Sequence, residues 1–376
     1  MKQGGMLRRS ILTGVALSAF MPAPRGRAAA VDNYGNAMRL ARNPAGRIGI
    51  VTGSAFGTYA RVAADMASVL DDADQQRIVP QQGRGSVQNL ADLLLMKGVD
   101  LAIVQADVLQ RVRRDHAMAS DSAIQYIAKL YNEEIHILVR HDIRSLKDLT
   151  GQTVNMDVPG SGTSETAPAL FHRFGIAVKP AEDDQLTALM RLRRGEIAAM
   201  AYVVGKPAPL FAELARSDGL HFLSLPLNAR LVQDYLPSRL TSAQYPILVE
   251  EHAPVDTVAV GAVLVTLAAS QGNERAHRVS RMVDTLFTRF GQLPRADHHP
   301  KWQEVSLRAD VDGFVRFPAA QAQLDRTPTK QPDDARDAFD AFLAKSGDGI
   351  TGLDDSRKEA LFRDFLQWRE KQTSRP

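Results

Sequence analysis

A turn rich in glycine and hydroxyl side chains is the first candidate for chemistry in this sequence. It lies within Val154–Phe171, which reads VNMDVPGSGTSETAPALF. An apolar run ends at Pro159–Ser164 and a segment able to be helical follows, so the backbone N–H groups of a helix start are left unpaired beside three hydroxyls. This arrangement predicts a binding site for a small anion. The alternative is a plain strand-to-helix turn whose hydroxyls act only as N-caps.

Two more glycine turns follow apolar runs in the same way. Gly53–Tyr59 (GSAFGTY) comes after Ile48–Val51, and Gly83–Ser86 (GRGS) precedes a helical pattern over Val87–Lys97. Ligands in open α/β sheets bind beyond the carboxyl ends of parallel strands, where such turns meet. The three turns together therefore predict a binding protein.

Other polar side chains stand near predicted strand ends. Gln105 and Asp107 follow a short apolar run of the buried parallel type, and Tyr202 lies near the end of another apolar run. Asp107 is either a site carboxylate or the N-cap of a helix over Val108–Arg114. Both interpretations of Asp107 stay open at this point.

Arg84 also has two interpretations. It is either a bidentate partner for a substrate carboxylate or a surface side chain on a flexible loop. Its neighbours Gly83 and Gly85 suit both, because glycine permits close backbone approach to a ligand and also a mobile loop tip.

The elements that must position these residues alternate between strands and helices, which predicts an α/β fold. Ile135–Arg140 and Thr257–Ala269 read as further apolar strands. We expect Ile135–Arg140 and Thr257–Thr266 to cross between two lobes and to act as their hinge.

Six motifs give the sequence a resemblance to a known family. They are Gly53–Tyr59, Gly85–Leu90 (GSVQNL), Asp100–Asp107 (DLAIVQAD), Leu130–Arg140 (LYNEEIHILVR), Ser145–Leu149 (SLKDL) and Pro159–Thr163 (PGSGT). In order and spacing, the set resembles the TAXI family, the solute-binding subunits of tripartite (TRAP) transporters. The likeness covers about residues 46 to 320.

The resemblance implies a two-lobed periplasmic-binding-protein (type II-like) α/β fold with a hinge and an interlobe cleft. That cleft would close around a small-molecule carboxylate or amino acid, such as glutamate, and a membrane-embedded TRAP permease subunit would be the partner. The residues implied to line the cleft are Ser54, Thr58, Tyr59, Ser86, Asn89, Gln105, Ser161, Gly162, Thr163 and Tyr202, and Arg84 joins them as a candidate. Arg84, Gln88 and Lys206 depart from the family pattern, which points to an atypical ligand.

The N-terminus has the order of a secretory signal peptide. Lys2, Arg8 and Arg9 precede the apolar run Ile11–Met21, and Ala28–Ala30 offers a cleavage site. We predict a signal peptide over residues 1–30, cleavage after Ala30, and export to the periplasm by the Sec or the twin-arginine route.

The remaining chain is predicted to divide into three parts. Lobe I comprises 31–137 plus 255–320, lobe II comprises 138–254, and a C-terminal helical extension covers 321–376. Two amphipathic helices are expected in that extension, over Asp333–Lys345 and Asp354–Lys371.

Charge and composition exclude several classes of function. Removal of the five basic residues among the first thirty leaves 41 basic against 43 acidic residues, a formal charge of −2. A near-neutral chain gives no ground for a nucleic-acid partner. The sequence has no cysteine, which excludes thiol chemistry and cysteine metal sites.

A sensor and an enzyme are the competing classes. A periplasmic ligand sensor would need the same cleft, whereas an enzyme on a two-lobed fold would need a catalytic motif that the sequence lacks. Glu133 and Glu134 are interpreted as a loop end, and His298 and His299 as a surface turn. No metal, cofactor or catalytic residue is therefore predicted.

Overall fold

The computed structural model describes residues 46–72, 76–116, 123–228, 231–268 and 273–326. The predicted signal peptide and the helices expected over Asp333–Lys345 and Asp354–Lys371 lie outside this part of the chain. In these ranges, no helix combines the length and the apolar character that crossing a membrane requires. The ten strands described are β1 (Arg47–Val51), β2 (Arg77–Gln81), β3 (Leu101–Gln105), β4 (Ile124–Arg140), β5 (Thr153–Asn155), β6 (Lys179–Ala181), β7 (Ala199–Val204), β8 (Leu220–Phe222), β9 (Leu236–Leu240) and β10 (Val255–Leu267).

In the described part of the chain, eight α-helices connect and cover these strands. They are α1 (Thr58–Leu70), α2 (Ser86–Leu95), α3 (Ala106–His116), α4 (Thr163–Arg173), α5 (Gln185–Arg193), α6 (Leu231–Asp234), α7 (Glu274–Arg289) and α8 (Pro318–Arg326). Short 3₁₀ turns occur between them, and one of these, Pro300–Glu304, packs against β4.

The strands form a single sheet in the order β2-β1-β3-β10-β4-β7-β5-β6, with β8 beside β4 and β9 beside β10. The β1 strand pairs parallel with β2 and β3, and β5 pairs parallel with β6 and β7. The long strands β4 and β10 pair antiparallel with each other between these two parallel groups. The strands of each parallel group run in the same direction and lead into helices. The N-termini of those helices therefore lie together at the carboxyl ends of the strands.

The core divides along β4 and β10, and this division defines two lobes. Ile127 and Leu130 from the first part of β4 belong to one buried cluster with α1 and α7, whereas Ile135 and Ile137 from its second part belong to another with α4 and β7. The β10 strand contributes in the same way, since Leu264 packs in the first cluster and Val258 in the second. The prediction of a two-lobed α/β fold is confirmed.

Amphipathic spacing explains how the helices attach to the sheet. In α1, the residues Val62, Met66 and Val69 recur at helical intervals and are buried in the core cluster that also contains residues of β1, β2 and β3. Burial of side chains of this size stabilises the fold by ~1.5–3 kcal/mol each. This packing fixes the N-terminus of α1 at the carboxyl end of β1, and with it the glycine turn Gly53–Tyr59.

Two sequence-based expectations about the chain differ from the structure. The predicted strand Ile135–Arg140 is only the second half of the 17-residue strand β4, so Glu133 and Glu134 are buried in mid-strand and their interpretation as a loop end is wrong. The local pattern misled because paired carboxylates seldom occupy a strand interior. The helix α8 spans the boundary predicted at residue 320, and Ala320 packs in the first lobe's core.

Candidate functional site

The glycine turns of both lobes meet around one cavity of about 250 Å³, called here the interlobe cavity. The first lobe contributes the turns after β1 and β2, and the second lobe contributes the turn after β5 and the end of β7. Ten predicted site residues line it: Ser54, Thr58, Tyr59, Arg84, Ser86, Gln105, Ser161, Gly162, Thr163 and Tyr202. A volume near the lower end of the ~300–1,000 Å³ usual for ligand pockets suits a small solute.

Three helices begin at this cavity with glycine as the N-cap. The α1 helix follows Gly57, α2 follows Gly85 and α4 follows Gly162, and none of these caps supplies a side-chain hydrogen bond. Their first N–H groups and the positive ends of three helix dipoles therefore face the same space. A carboxylate or another small anion is favoured there.

Hydrogen bonds join the two lobes around the cavity. The N–H of Gln88 donates to the carbonyl of Gly160 at 3.0 Å, and the hydroxyl of Thr58 donates to the carbonyl of Gly205 at 3.2 Å. The hydroxyl of Thr166 donates to Asp107 Oδ2 at 2.6 Å. These contacts hold the lobes in a closed arrangement.

The backbones of the two lobes come so close together around the interlobe cavity that two positions require glycine. Gly85 has φ 127°, and a Cβ on it would lie 3.1 Å from the backbone N of Gly162. A Cβ on Gly162 would lie 2.6 Å from Gln105 Nε2 and closer still to the carbonyl oxygen of that side chain. A side chain at either position would push the lobes apart.

Glu133 lies at the buried side of the interlobe cavity. It is 2% exposed, and its Oε2 accepts hydrogen bonds from the Tyr59 hydroxyl at 2.7 Å and from Gln105 Nε2 at 3.2 Å. Burial raises the pKa of Glu133 to about 8, against the opposing effect of the hydrogen bonds from Tyr59 and Gln105. Near pH 7, the neutral acid form of Glu133 is therefore favoured in the protein without solute.

Asp157 and Gln185 add two more acceptors to the cavity wall. Asp157 has φ 69°, in the left-handed region that aspartate tolerates better than most residues, and burial raises the pKa of its carboxyl. Gln185 donates through Nε2 to the carbonyl of Ala201 at 3.1 Å, which leaves its buried Oε1 without a partner in the described part of the chain.

Asp184 lines the same wall but has a structural role. Its carboxylate caps α5 by accepting from the N–H groups of Leu186 and Thr187, each at 3.1 Å. The hydrogen bond from the Thr187 hydroxyl is the main cause of the lowered pKa of Asp184, so the Asp184 carboxylate stays ionised.

The predicted hydroxyl side chains line the cavity and also accept hydrogen bonds from backbone N–H groups in its wall. The Oγ of Ser161 accepts from the N–H of Ser164 at 3.0 Å, as the N-cap alternative expected, and Thr163 Oγ1 accepts from the N–H of Val203 at 3.0 Å. The Oγ of Ser86 accepts from the N–H of Gln105 at 2.9 Å. A hydroxyl that accepts a hydrogen bond keeps its own hydrogen, so each of these hydroxyls can still donate to a ligand.

Asn89 lies apart from the other predicted residues. It is fully buried within the first lobe, and its Nδ2 donates to the carbonyl of Ile103 at 2.8 Å, so it ties α2 to β3 and does not line the cavity. Arg84 is exposed at the mouth and forms no hydrogen bond or ion pair with the residues described. Asp107 is in the first turn of α3, where it accepts from Thr166 and from the N–H of Val108.

Glu134 anchors a buried ionic cluster behind the cavity. Its Oε1 accepts from Lys301 Nζ at 2.8 Å and lies 3.3 Å from Lys206 Nζ, and the backbone N–H of Lys206 donates to its Oε2 at 3.1 Å. Lys301 also pairs with Glu304 at 2.8 Å. Lys206, which departed from the family pattern, therefore ties the second lobe to β4.

Histidines do not form a metal site in the described ranges, where no group of three or more potential ligands occurs. The prediction that His298 and His299 form a surface turn is wrong for His299, which is 6% exposed. The backbone N–H of His299 donates to Asp65 at 2.9 Å, and burial lowers the pKa of its imidazole to about 4.

Comparison with known proteins finds a matching sequence family and several solved structures of low similarity. Residues 50–318 match the sequence pattern of the NMT1-like family. Among solved structures, the periplasmic binding protein BugD matches at a TM-score of 0.46 and 12% identity, covering 74% of this chain and 93% of BugD.

Two further structures match in the same range. A TctC solute-binding protein from Polaromonas has a TM-score of 0.41 and 14% identity, covering 86% of this chain and 98% of that protein. The alkanesulfonate-binding protein SsuA from Xanthomonas axonopodis pv. citri, bound to MOPS, has a TM-score of 0.43 and 16% identity, covering 80% and 92%.

Proposed function

The chain belongs to the NMT1-like family, whose pattern covers residues 50–318, and we propose that this member is a periplasmic solute-binding protein. Its interlobe cavity captures a small carboxylate and releases it to a membrane transporter. The observation that carries this proposal is the convergence of three helix N-termini, each beginning at a glycine, on one cavity between two lobes.

The Pro159–Ser164 turn is the proposed carboxylate site. The N–H groups at the start of α4 and the hydroxyl of Thr163 supply donors from the second lobe, while Ser86 and the start of α2 supply donors from the first. Arg84 at the mouth adds a cation that a carboxylate can meet as it enters. Charge-assisted hydrogen bonds of this kind contribute ~1.5–3 kcal/mol each.

The finer assignment follows the TAXI resemblance. We propose a TRAP permease subunit as the membrane partner, lobe boundaries near residues 137 and 254, and no catalysis. A periplasmic sensor on the same fold is the alternative. Genes for a multi-spanning permease beside the gene for this chain would favour transport over sensing.

Mass spectrometry of the solute released by denaturing the purified protein tests the proposed function. We expect a small organic acid in near-stoichiometric amount, because a closed cavity with inward donors retains an anion. The proposal would be contradicted if denaturation released no carboxylate and if no carboxylate raised the Tm of the protein.

Export is a separate prediction. The order of charged, apolar and small residues in the first thirty positions leads us to expect periplasmic protein that begins near Val31. N-terminal sequencing of material from a periplasmic extract measures this. Protein recovered only from the cytoplasm with Met1 intact would contradict it.

Ligand-dependent closure is the third prediction. The lobes should move as rigid bodies about β4 and β10, because these strands contribute to the cores of both lobes. We expect small-angle X-ray scattering to give a smaller radius of gyration with the released solute than without it. Equal radii in the two states would show that binding does not close the lobes.

A further inference from the structure

Two large apolar side chains that line the interlobe cavity are exposed. Phe56 is 45% exposed and Leu186 is 43% exposed. They come from opposite lobes, because Phe56 lies in the turn after β1 and Leu186 lies at the start of α5. Single exposed apolar residues are common on protein surfaces. Two of them that line one cavity from two lobes form an apolar surface that the proposed carboxylate site does not use.

The core of the second lobe does not require Leu186. The buried residues of α5 are Gln185, Ala188, Leu189 and Leu192. Leu186 and Met190 are four positions apart, so they lie together on another side of this helix, and Met190 is 44% exposed. Of these two residues, Leu186 lines the cavity. Its side chain can therefore contact a solute without a cost to the fold.

The turn Gly53–Tyr59 does not require the phenyl ring of Phe56 either. The N–H of Gly57 donates to the carbonyl of Ser54 at 2.9 Å, and Tyr59 packs in the core of the first lobe. These contacts shape the turn and anchor it. An apolar group of a solute that covers the exposed ring would remove its surface from water, which is favourable.

The donors of the cavity suit one anion. The starts of α1, α2 and α4 supply N–H groups, and Arg84 is the only basic side chain among the described residues that line the cavity. Arg84 directly precedes Gly85, which is the N-cap of α2. The cation therefore lies beside a helix start, where it can meet the same carboxylate that the N–H groups bind.

The rest of the lining disfavours a second anion. Burial raises the pKa of Glu133 and of Asp157, and the same loss of water penalises any further negative charge placed beside them. The ionised carboxylate of Asp184 stands two positions before Leu186 in the sequence. A second carboxylate at this wall would meet a like charge and no cation, whereas a hydrocarbon meets neither penalty.

We infer that the cavity binds a monocarboxylate with a hydrocarbon chain or ring, which Phe56 and Leu186 contact from opposite lobes. This inference rests on the proposed function and narrows its substrate class. The carboxylate of the solute lies at the helix starts, and its hydrocarbon part lies between the two side chains. Such a solute differs from glutamate, the example that the TAXI resemblance implies, because the carboxylate is its only charged group.

Affinity is expected to rise with the length of the hydrocarbon chain. Complete burial of one CH₂ group strengthens binding about fourfold, so contact with partly exposed side chains should give about two- to fourfold per CH₂ from butyrate to octanoate. Hexanoate should raise the Tm, whereas adipate, which has the same carbon number and a second carboxylate, should not. Thermal unfolding and isothermal titration calorimetry measure both effects on protein refolded after removal of its bound solute.

Two substitutions test the apolar contacts themselves. Leu186→Asn and Phe56→Asn each replace an apolar side chain with a polar one, and each should weaken octanoate binding about fivefold and butyrate binding less. Because both residues are exposed, the Tm of each empty variant should stay near that of the unaltered protein. Leu95→Asn is the matched control, since Leu95 is 83% exposed at the end of α2 and does not line the cavity. Its octanoate affinity should be unchanged.

Different results would contradict the inference and the proposed function. Stabilisation by glutamate or adipate and not by the monocarboxylates would overturn the inference and leave the proposed function standing. Octanoate affinity that is unchanged in both Leu186→Asn and Phe56→Asn would do the same. Stabilisation by no carboxylate would contradict both.

Discussion

Replacing Gly162 with Val is expected to weaken solute binding by ~10–100-fold. The backbone of Gly162 is helical (φ −68°, ψ −37°), so the new side chain strains nothing locally. It would instead collide with the side chain of Gln105, which is 2% exposed and held by Thr166 and Glu133. Because Gly162 and Gln105 belong to different lobes, the collision opposes closure and hence binding. Isothermal titration calorimetry with the released solute measures the loss.

Gly291→Val serves as the matched control for this substitution. Gly291 is exposed, lacks a positive φ, and a Cβ on it would meet no atom within 4 Å. We expect its affinity to be unchanged. The empty Gly162→Val protein should unfold near the Tm of the unaltered protein, because open lobes relieve the collision. Unchanged affinity in Gly162→Val would place the solute elsewhere.

Replacing Lys301 with Met should lower the free energy of unfolding by about 3 kcal/mol, at the lower end of the range for breaking a buried ion pair. The side chain of Lys301 is 1% exposed and that of Glu134 is 2% exposed, so removing the cation leaves a buried carboxylate undercompensated. Lys206 remains as a partner and limits the loss. Urea denaturation followed by circular dichroism measures the change.

Two further variants distinguish the contribution of the buried Lys301–Glu134 pair to stability from that of the neighbouring Glu304. Glu304→Gln removes the more exposed partner of Lys301 and should cost less than about 1 kcal/mol. The double variant Glu134→Leu with Lys301→Met removes both charges and should be more stable than Lys301→Met alone. If Lys301→Met were as stable as the unaltered protein, the cluster would not stabilise the fold.

The outline of the fold could be predicted because local patterns determine it. Glycine turns after apolar runs indicated the turns that follow β1, β2 and β5, and parallel pairing then brings their ends to a common edge. The continuous apolar run in β10 was also sufficient, since a strand buried on both faces needs no alternation. Ten of the eleven residues that the TAXI resemblance implied or that were proposed beside it line the cavity, and eight of these ten lie in the three turns.

Residues that depend on tertiary contacts could not be predicted in the same way. Glu133 resembled a loop end, although its spacing of two from Ile135 and four from Ile137 placed it on the same face of a strand as these two apolar residues. That alternation was the available signal. Lys301 offered none, because its partner Glu134 lies 167 positions away in the sequence. Asn89 is on the helix that leads from the cavity, and only the fold shows that it turns inward.

A crystal structure of the protein with its released solute tests the central claim most directly. We expect electron density for the solute in the interlobe cavity, with its carboxylate at the N-terminus of α4 near Thr163 and Ser86. A second cavity of about 270 Å³, between Asp107, Gly261 and Asp310, provides the contrast within the same crystal. Solute density in that second cavity, with the interlobe cavity empty, would contradict the account.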